Sequence, residues 1–214
     1  MSPSRAHAAV ATAVTVALAL VLGACSSGSS KAHTTKPARI DSSVALRVTT
    51  TNVDSAGPAV AFPADLRDQA ALLVNTYVEG AVVAALRTGT SDPGLTQAFT
   101  PDAAARLAGP DRAVVTDDGV EKATGSIAAS KADVALTALA DTSGKLLLVS
   151  AALALDVRAP VAGGTLHVTR VGDLLLAPSG GQWRIAGYDL AVTRDGPGVR
   201  AASASGTATT GPGT

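Results

Sequence analysis

The sequence predicts an α+β domain, with three helices first and a curved antiparallel sheet after them. Two observations carry this. Between residues 64 and 88, apolar residues recur at steps of three and four, the helical period. From about Ala123 the period becomes two, over four segments joined by links of three or four residues. Links that short make hairpins, and hairpins pair their strands antiparallel.

Taken in order, the elements begin with "VALRVTTTNV", where Val44, Leu46 and Val48 alternate as in a short edge strand. "GPAVAFP" ends it. The stretch "ADLRDQAALLVNTYVEGAVVAALRTG" is the clearest helix. Asp65 is placed to cap it, and Asp68 adds negative charge near its positive end. Leu66, Ala70, Leu73, Tyr77, Ala81 and Ala84 fall on one face, and Gly89 stops the helix. "SDPGLTQAF" reads as a short second helix. "TPDAAARLAG" reads as a third, with Thr100 as cap, Pro101 at the first helical position and Gly109 after the end. The strands follow as "ADVALTALA", "KLLLVSAALALDVRAP", "GTLHVTRVGDLLLAP" and "QWRIAGYDLAVTR". In the second strand Leu147, Val149, Ala151, Leu153, Leu155 and Val157 share one face, opposite Ser150, Asp156 and Arg158. In the last, Trp183 and Ile185 have one parity, while Tyr188, Leu190 and Val192 have the other. Gly187 between them predicts a β-bulge. Parity with Ile185 places Trp183 in the core; the other reading puts it half-exposed at a pocket mouth.

Helices followed by long antiparallel strands over residues 65 to 195 resemble the nuclear transport factor two-like fold. The resemblance implies helices packed into the concave face of a bent sheet around a conical pocket. A cystatin-like α+β arrangement is the alternative. The closing "QWRIAGYDLAVTRD" resembles the last strand of exported actinobacterial proteins, including mammalian-cell-entry-associated ones. Enzymes of the resembled fold, such as ketosteroid isomerases and polyketide cyclases, place a carboxylate and a tyrosine in the pocket. Tyr77 with Asp156 or Asp189 are the counterparts here, and no motif carries a catalytic role onto them.

The chain opens with a single basic residue, Arg5, and then runs apolar from Ala8 to Leu22 except for Thr12 and Thr15. That run is about 15 residues, or roughly 22 Å of helix, too short for a bilayer core of ~30 Å. It reads as a signal peptide over residues 1–24. Leu22, Gly23, Ala24 and Cys25 resemble the lipobox of bacterial lipoproteins. This implies cleavage before Cys25, the only cysteine in the chain, and diacylglyceryl modification of its thiol. Two acyl chains anchor stably where one does not. The expected location is the extracytoplasmic face of the cell membrane. Residues 25–43, including "SSGSSKAHTTKPARIDSS", read as a flexible tether, and 196–214 as a disordered tail. The domain between, 44–195, is about 150 residues, enough to bury ~70% of its unfolded surface.

Charge and residue usage narrow the function classes. Once Arg5 leaves with the leader, sixteen Lys and Arg face seventeen Asp and Glu, which argues against a nucleic-acid partner. Modification of Cys25 leaves no thiol for a disulfide. Arg exceeds Lys by twelve to five and Asp exceeds Glu by fifteen to two, a bias that fits a high-GC genome. The domain holds one histidine, His167, so a histidine-rich metal site is not expected and no cofactor motif occurs. As a general base His167 would need an orienting acid, such as Asp156 on the neighbouring strand. Asp117 and Asp118 in "TDDGVE" read as a solvated turn in preference to a cation site. The pocket candidates are therefore Tyr77, Asp156, His167, Trp183 and Asp189. The favoured reading is a lipid-anchored, non-enzymatic module that binds an envelope protein or a small apolar ligand. A pocket enzyme of the isomerase or cyclase type is the alternative.

Overall fold

The computed structural model describes residues 44–199 and 205–210. Cys25, the signal segment and the tether lie outside the described residues. The architecture is α+β: a six-stranded sheet in the order β1-β2-β3-β4-β5-β6, with the helical segment inserted between its first two strands.

The first strand, β1 (Arg47–Ser55), pairs with β2 (Ala128–Ala140) in parallel. The sheet is thus mixed, where the sequence suggested a purely antiparallel one. The cause is the connection. The helical segment separates β1 from β2, and a crossover that long permits parallel pairing, which a hairpin cannot. The other strands are β3 (Leu146–Val161), β4 (Gly164–Ser179), β5 (Gln182–Asp195) and β6 (Ser205–Thr210), all antiparallel to their neighbours. The last is a correction: residues 205–210 of the stretch read as a disordered tail form a strand. Its residues are Ser, Thr, Gly and Ala, too polar to signal a core strand. They pair with the outer edge of β5, which would otherwise be open.

The long helix runs as α1 (Ala64–Val78), a π-helical turn (Glu79–Val83) and α2 (Ala84–Thr88). Asp65 lies in the first turn and does not cap; Pro63 takes the cap position, with no side-chain hydrogen bond. Gly89 closes the helix in the left-handed conformation, φ 86°. The widened turn frees main-chain carbonyls. Those of Gly80 and Ala81 accept from the amides of Asp92 (2.9 Å) and Asp117 (3.0 Å), which ties two later loops to the helix. Although Ala64–Thr88 is long and apolar enough to cross a bilayer, just over half of its most apolar window is buried within the domain. Its buried stripe is Leu66, Ala70, Val74, Tyr77, Val78, Ala81 and Val82, with Leu73 and Ala84 only half-buried.

A 3₁₀ turn (Pro93–Ala98) follows, capped by the Asp92 carboxylate, which accepts from the Gly94 amide at 2.6 Å. Next come α3 (Pro101–Leu107) and a single turn, α4 (Arg112–Val115), which no periodicity announced. Thr100 precedes Pro101 at the cap position of α3, but its hydroxyl makes no capping bond.

Alternation in the sheet is as the sequence suggests. In β3, Val149, Ala151, Leu153, Leu155 and Val157 are buried and face the helices, while Leu147 at the strand's end is exposed. In β5, Leu175 pairs with Gly187 and Leu176 with Ile185, leaving Ala186 as the extra residue of a bulge. The bulge changes the parity, so Ile185 and Tyr188 both point inward.

Candidate functional site

The sheet divides the five candidate residues between its two sides. Tyr77 is fully buried under the helices. Asp156, His167 and Asp189 have the opposite parity to the buried residues of β3, β4 and β5, and so sit on the outer face. There Asp156 and His167 meet, Nε2 to Oδ1 at 2.8 Å, and the Ser130 hydroxyl donates to the same carboxylate at 2.6 Å. These two hydrogen bonds hold the Asp156 carboxyl below the ordinary carboxylate range. Among the described residues the outer face is uncovered, and Val171 on it is 53% exposed. Asp189 stands directly opposite Asp173, which accepts from Ser150 at 2.6 Å. No group of three His, Cys, Asp or Glu suited to a metal forms among the described residues.

On the helix side, the place where the resembled fold leaves a pocket is filled. Phe99 packs edge-on against Tyr77 (6.4 Å) and Tyr188 (6.3 Å), so three aromatic rings line up across the interior. Next to them lies a buried ionic cluster. Asp117, Arg170 and Arg194 are all buried. Asp117 Oδ2 lies 2.8 Å from Arg170 Nη2, and its Oδ1 accepts from Arg194 Nε at 2.5 Å. The two arginines belong together because Val168 pairs with Arg194 and Arg170 with Val192, which makes them diagonal neighbours on one face. Arg170 Nη1 also donates to Tyr77 Oη and to the Val115 carbonyl, both at 2.8 Å. Arg194 Nη2 donates to the Thr116 carbonyl at 2.7 Å. Burial alone would depress the Arg170 pKa; Asp117 and Tyr77 more than reverse this, so the guanidinium stays charged. Burial pushes the Tyr77 phenol up, against a partial opposing pull from Arg170.

This cluster corrects the reading of "TDDGVE" as a solvated turn. Asp117 is fully buried between two guanidiniums. Asp118 is partly buried; it pairs with Arg112 at 2.6 Å and accepts from the Ser91 amide. Burial would raise the Asp118 carboxyl, but Ser91 and Arg112 hold it below its usual value. The cluster's geometry fastens residues 111–118 to β4 and β5. With Asp117, Arg170 and Arg194 all buried, this is the geometry of a structural clamp.

An apolar opening lies elsewhere, at the tip of the β4–β5 hairpin. A groove of about 500 Å³ runs between α1, the 3₁₀ turn and the start of β5. Leu72, Leu73, Ala98 and Trp183 give it apolar lining, and Gln69, Thr76, Gln97 and Arg184 give it polar lining. Its walls are fixed. Arg184 Nη1 donates to the Gln97 carbonyl at 2.8 Å, and the Thr100 amide donates to the Ile185 carbonyl at 2.9 Å. Leu72 is 54% exposed. Trp183 is half-buried, so its expected place in the core is corrected to the groove wall. Ile185, of the same parity, is fully buried. Trp183 instead lies where the start of β5, α1 and the 3₁₀ turn border the groove. Comparison with known protein families, with curated proteins and with solved structures gives no match.

Proposed function

We propose that this chain is a lipid-anchored module on the extracytoplasmic face of the cell membrane, which binds through the Trp183 groove. The finer fold reading, nuclear transport factor two-like, belongs to the same proposal: its support is the helical layer on one side of an otherwise antiparallel sheet. One observation carries the binding reading. The interior is filled by Tyr77, Phe99, Tyr188 and the Asp117 cluster, while the groove outside it has an exposed leucine and a half-buried tryptophan beside the polar side chains of Gln69, Gln97 and Arg184. Exposed apolar side chains in a walled recess favour a partner with apolar groups. Amides and a single arginine in the lining supply hydrogen bonds without a proton-transfer pair. The lipid anchor rests on Leu22-Gly23-Ala24-Cys25 at the end of the apolar leader.

The test has two arms. Cys25→Ala is expected to release the protein from membranes or leave it unprocessed, and the wild-type N-terminus to carry the acyl mass. An intact mature N-terminus without acyl mass overturns the anchor. Leu72→Glu is expected to abolish whatever apolar ligand or envelope protein native mass spectrometry finds bound to the wild-type chain. Retention of that species by Leu72→Glu overturns the groove reading.

A further inference from the structure

The Trp183 groove carries one charge. Arg184 is the only charged residue among those that line it. Arg47, Arg67, Arg112, Arg170 and Arg194 each pair with an aspartate. Arg184 is held differently. Its Nη1 donates to the Gln97 carbonyl at 2.8 Å and lies 3.5 Å from the Phe99 carbonyl. Its Nε and Nη2 have no hydrogen-bond partner among the described residues.

Main-chain carbonyls fix a guanidinium without neutralising it. Here they leave the Nε–Nη2 edge, whose parallel N–H groups match the two oxygens of a carboxylate. In the empty groove water satisfies that edge. A ligand whose apolar part covers Leu72, Leu73 and Trp183 displaces water beside Arg184, and a desolvated cation is costly unless an anion replaces the water. A purely apolar ligand brings none. The groove's volume, about 500 Å³, is within the range of small-molecule sites. Its single positive charge is matched by a monocarboxylate, whereas a phosphate monoester brings nearly two negative charges at neutral pH.

We infer that the groove selects a small carboxylic acid with one apolar chain. The carboxylate sits on the Nε–Nη2 edge of Arg184, and the chain lies against Leu72, Leu73 and Trp183. This rests on the binding reading of the groove and names the ligand class for it. Arg184 sets the specificity, and the apolar lining supplies the affinity.

The test uses the full chain on phosphatidylcholine vesicles, with Trp183, its sole tryptophan, as the reporter. The probes are octanoate, octanol, octylamine and acetyl-leucyl-leucine, at free concentrations fixed by dialysis. Octanoate is expected to shift Trp183 emission with an affinity about ten-fold or more above that of octylamine, because charge-assisted hydrogen bonds take the place of charge repulsion. Arg184→Gln is expected to weaken octanoate about ten-fold and octanol less than about two-fold. Arg184→Lys is expected to recover part of the loss, since it keeps the charge and lacks the fork. Equal affinity of the wild-type chain for octanoate and octylamine overturns the inference. So does a loss of octanoate binding in Arg184→Gln that is no greater than the loss of octanol binding. Tighter binding of acetyl-leucyl-leucine than of octanoate also overturns it, and assigns the carboxylate to a peptide end. If Leu72→Glu abolishes octanol binding in any of these cases, the groove reading survives and the ligand class alone fails.

Discussion

Arg170 and Asp117, both fully buried, stand 2.8 Å apart at the centre of the domain, and Arg194 takes the other oxygen of the same carboxylate. Two cations share one anion, so the carboxylate is the member that the cluster can least lose. Asp117→Asn keeps the shape and leaves two buried guanidiniums uncompensated; it is expected to cost about 3–5 kcal/mol. Arg170→Met leaves a balanced pair of Asp117 and Arg194 and is expected to cost less. Urea denaturation of the two variants checks the order. A larger loss in Arg170→Met would show that the bonds to Tyr77 and Val115 outweigh the charge balance.

Alkaline pH provides an independent probe of the same interior. Tyr77 is raised by burial, and Tyr188 by burial and by its 2.7 Å bond to the Asp111 carboxylate. They are the only tyrosines in the chain. A phenol held above its ordinary value favours the folded state while it is neutral. That contribution is complete below about pH 10, the unfolded value, and is lost as pH rises beyond it toward the folded values. Tyrosinate absorbance is therefore expected to appear together with the loss of far-ultraviolet circular dichroism, in one cooperative step. Titration of one tyrosine near its ordinary value in an otherwise folded protein would contradict this.

Gly172 sits in mid-strand at φ 144°, and a Cβ there would lie 1.9 Å from the Asp189 carbonyl oxygen. Backbone atoms of a paired strand cannot yield as a flexible side chain can. Gly172→Ala is expected to cost more than about 4 kcal/mol, in the range of core disruption. Gly180, at the hairpin tip, also has positive φ, but a Cβ there would meet no atom within 4 Å. Gly180→Ala is expected to cost only about 1–2 kcal/mol, the left-handed penalty alone. Melting temperatures of the two variants test the contrast, and equal losses would contradict it.

Much of the fold is legible in local pattern. The long helix, four strands and the bulge beside Gly187 follow from periodicity and punctuation, because each depends on residues close in sequence. The parallel pairing of β1 and the strand at Ser205–Thr210 do not, since both depend on an edge that distant residues provide. The ionic cluster leaves a trace that can be followed. Arg170 shares the inward parity of Leu166, Val168, Leu174 and Leu176, and Arg194 that of Leu190 and Val192. An arginine at an inward position needs a buried acid, and Asp117 in its turn is the available one. The Asp156–His167 pair follows from adjacent strands and is formed, but on the open outer face. The groove has no such local sign, because α1, the 3₁₀ turn and β5 each give it a wall.

Recognition at the Trp183 groove, and not on the open sheet face, is the central claim. A photo-reactive benzoylphenylalanine placed at Leu72, and separately at Val171, tests it most directly in cells of the native host. Both side chains are about half exposed, 54% and 53%, so solvent access alone does not favour either position. Recognition at the groove predicts a defined adduct to an envelope component from position 72 and none from position 171. A defined adduct from position 171 with none from position 72 would contradict it and move the binding surface to the outer face.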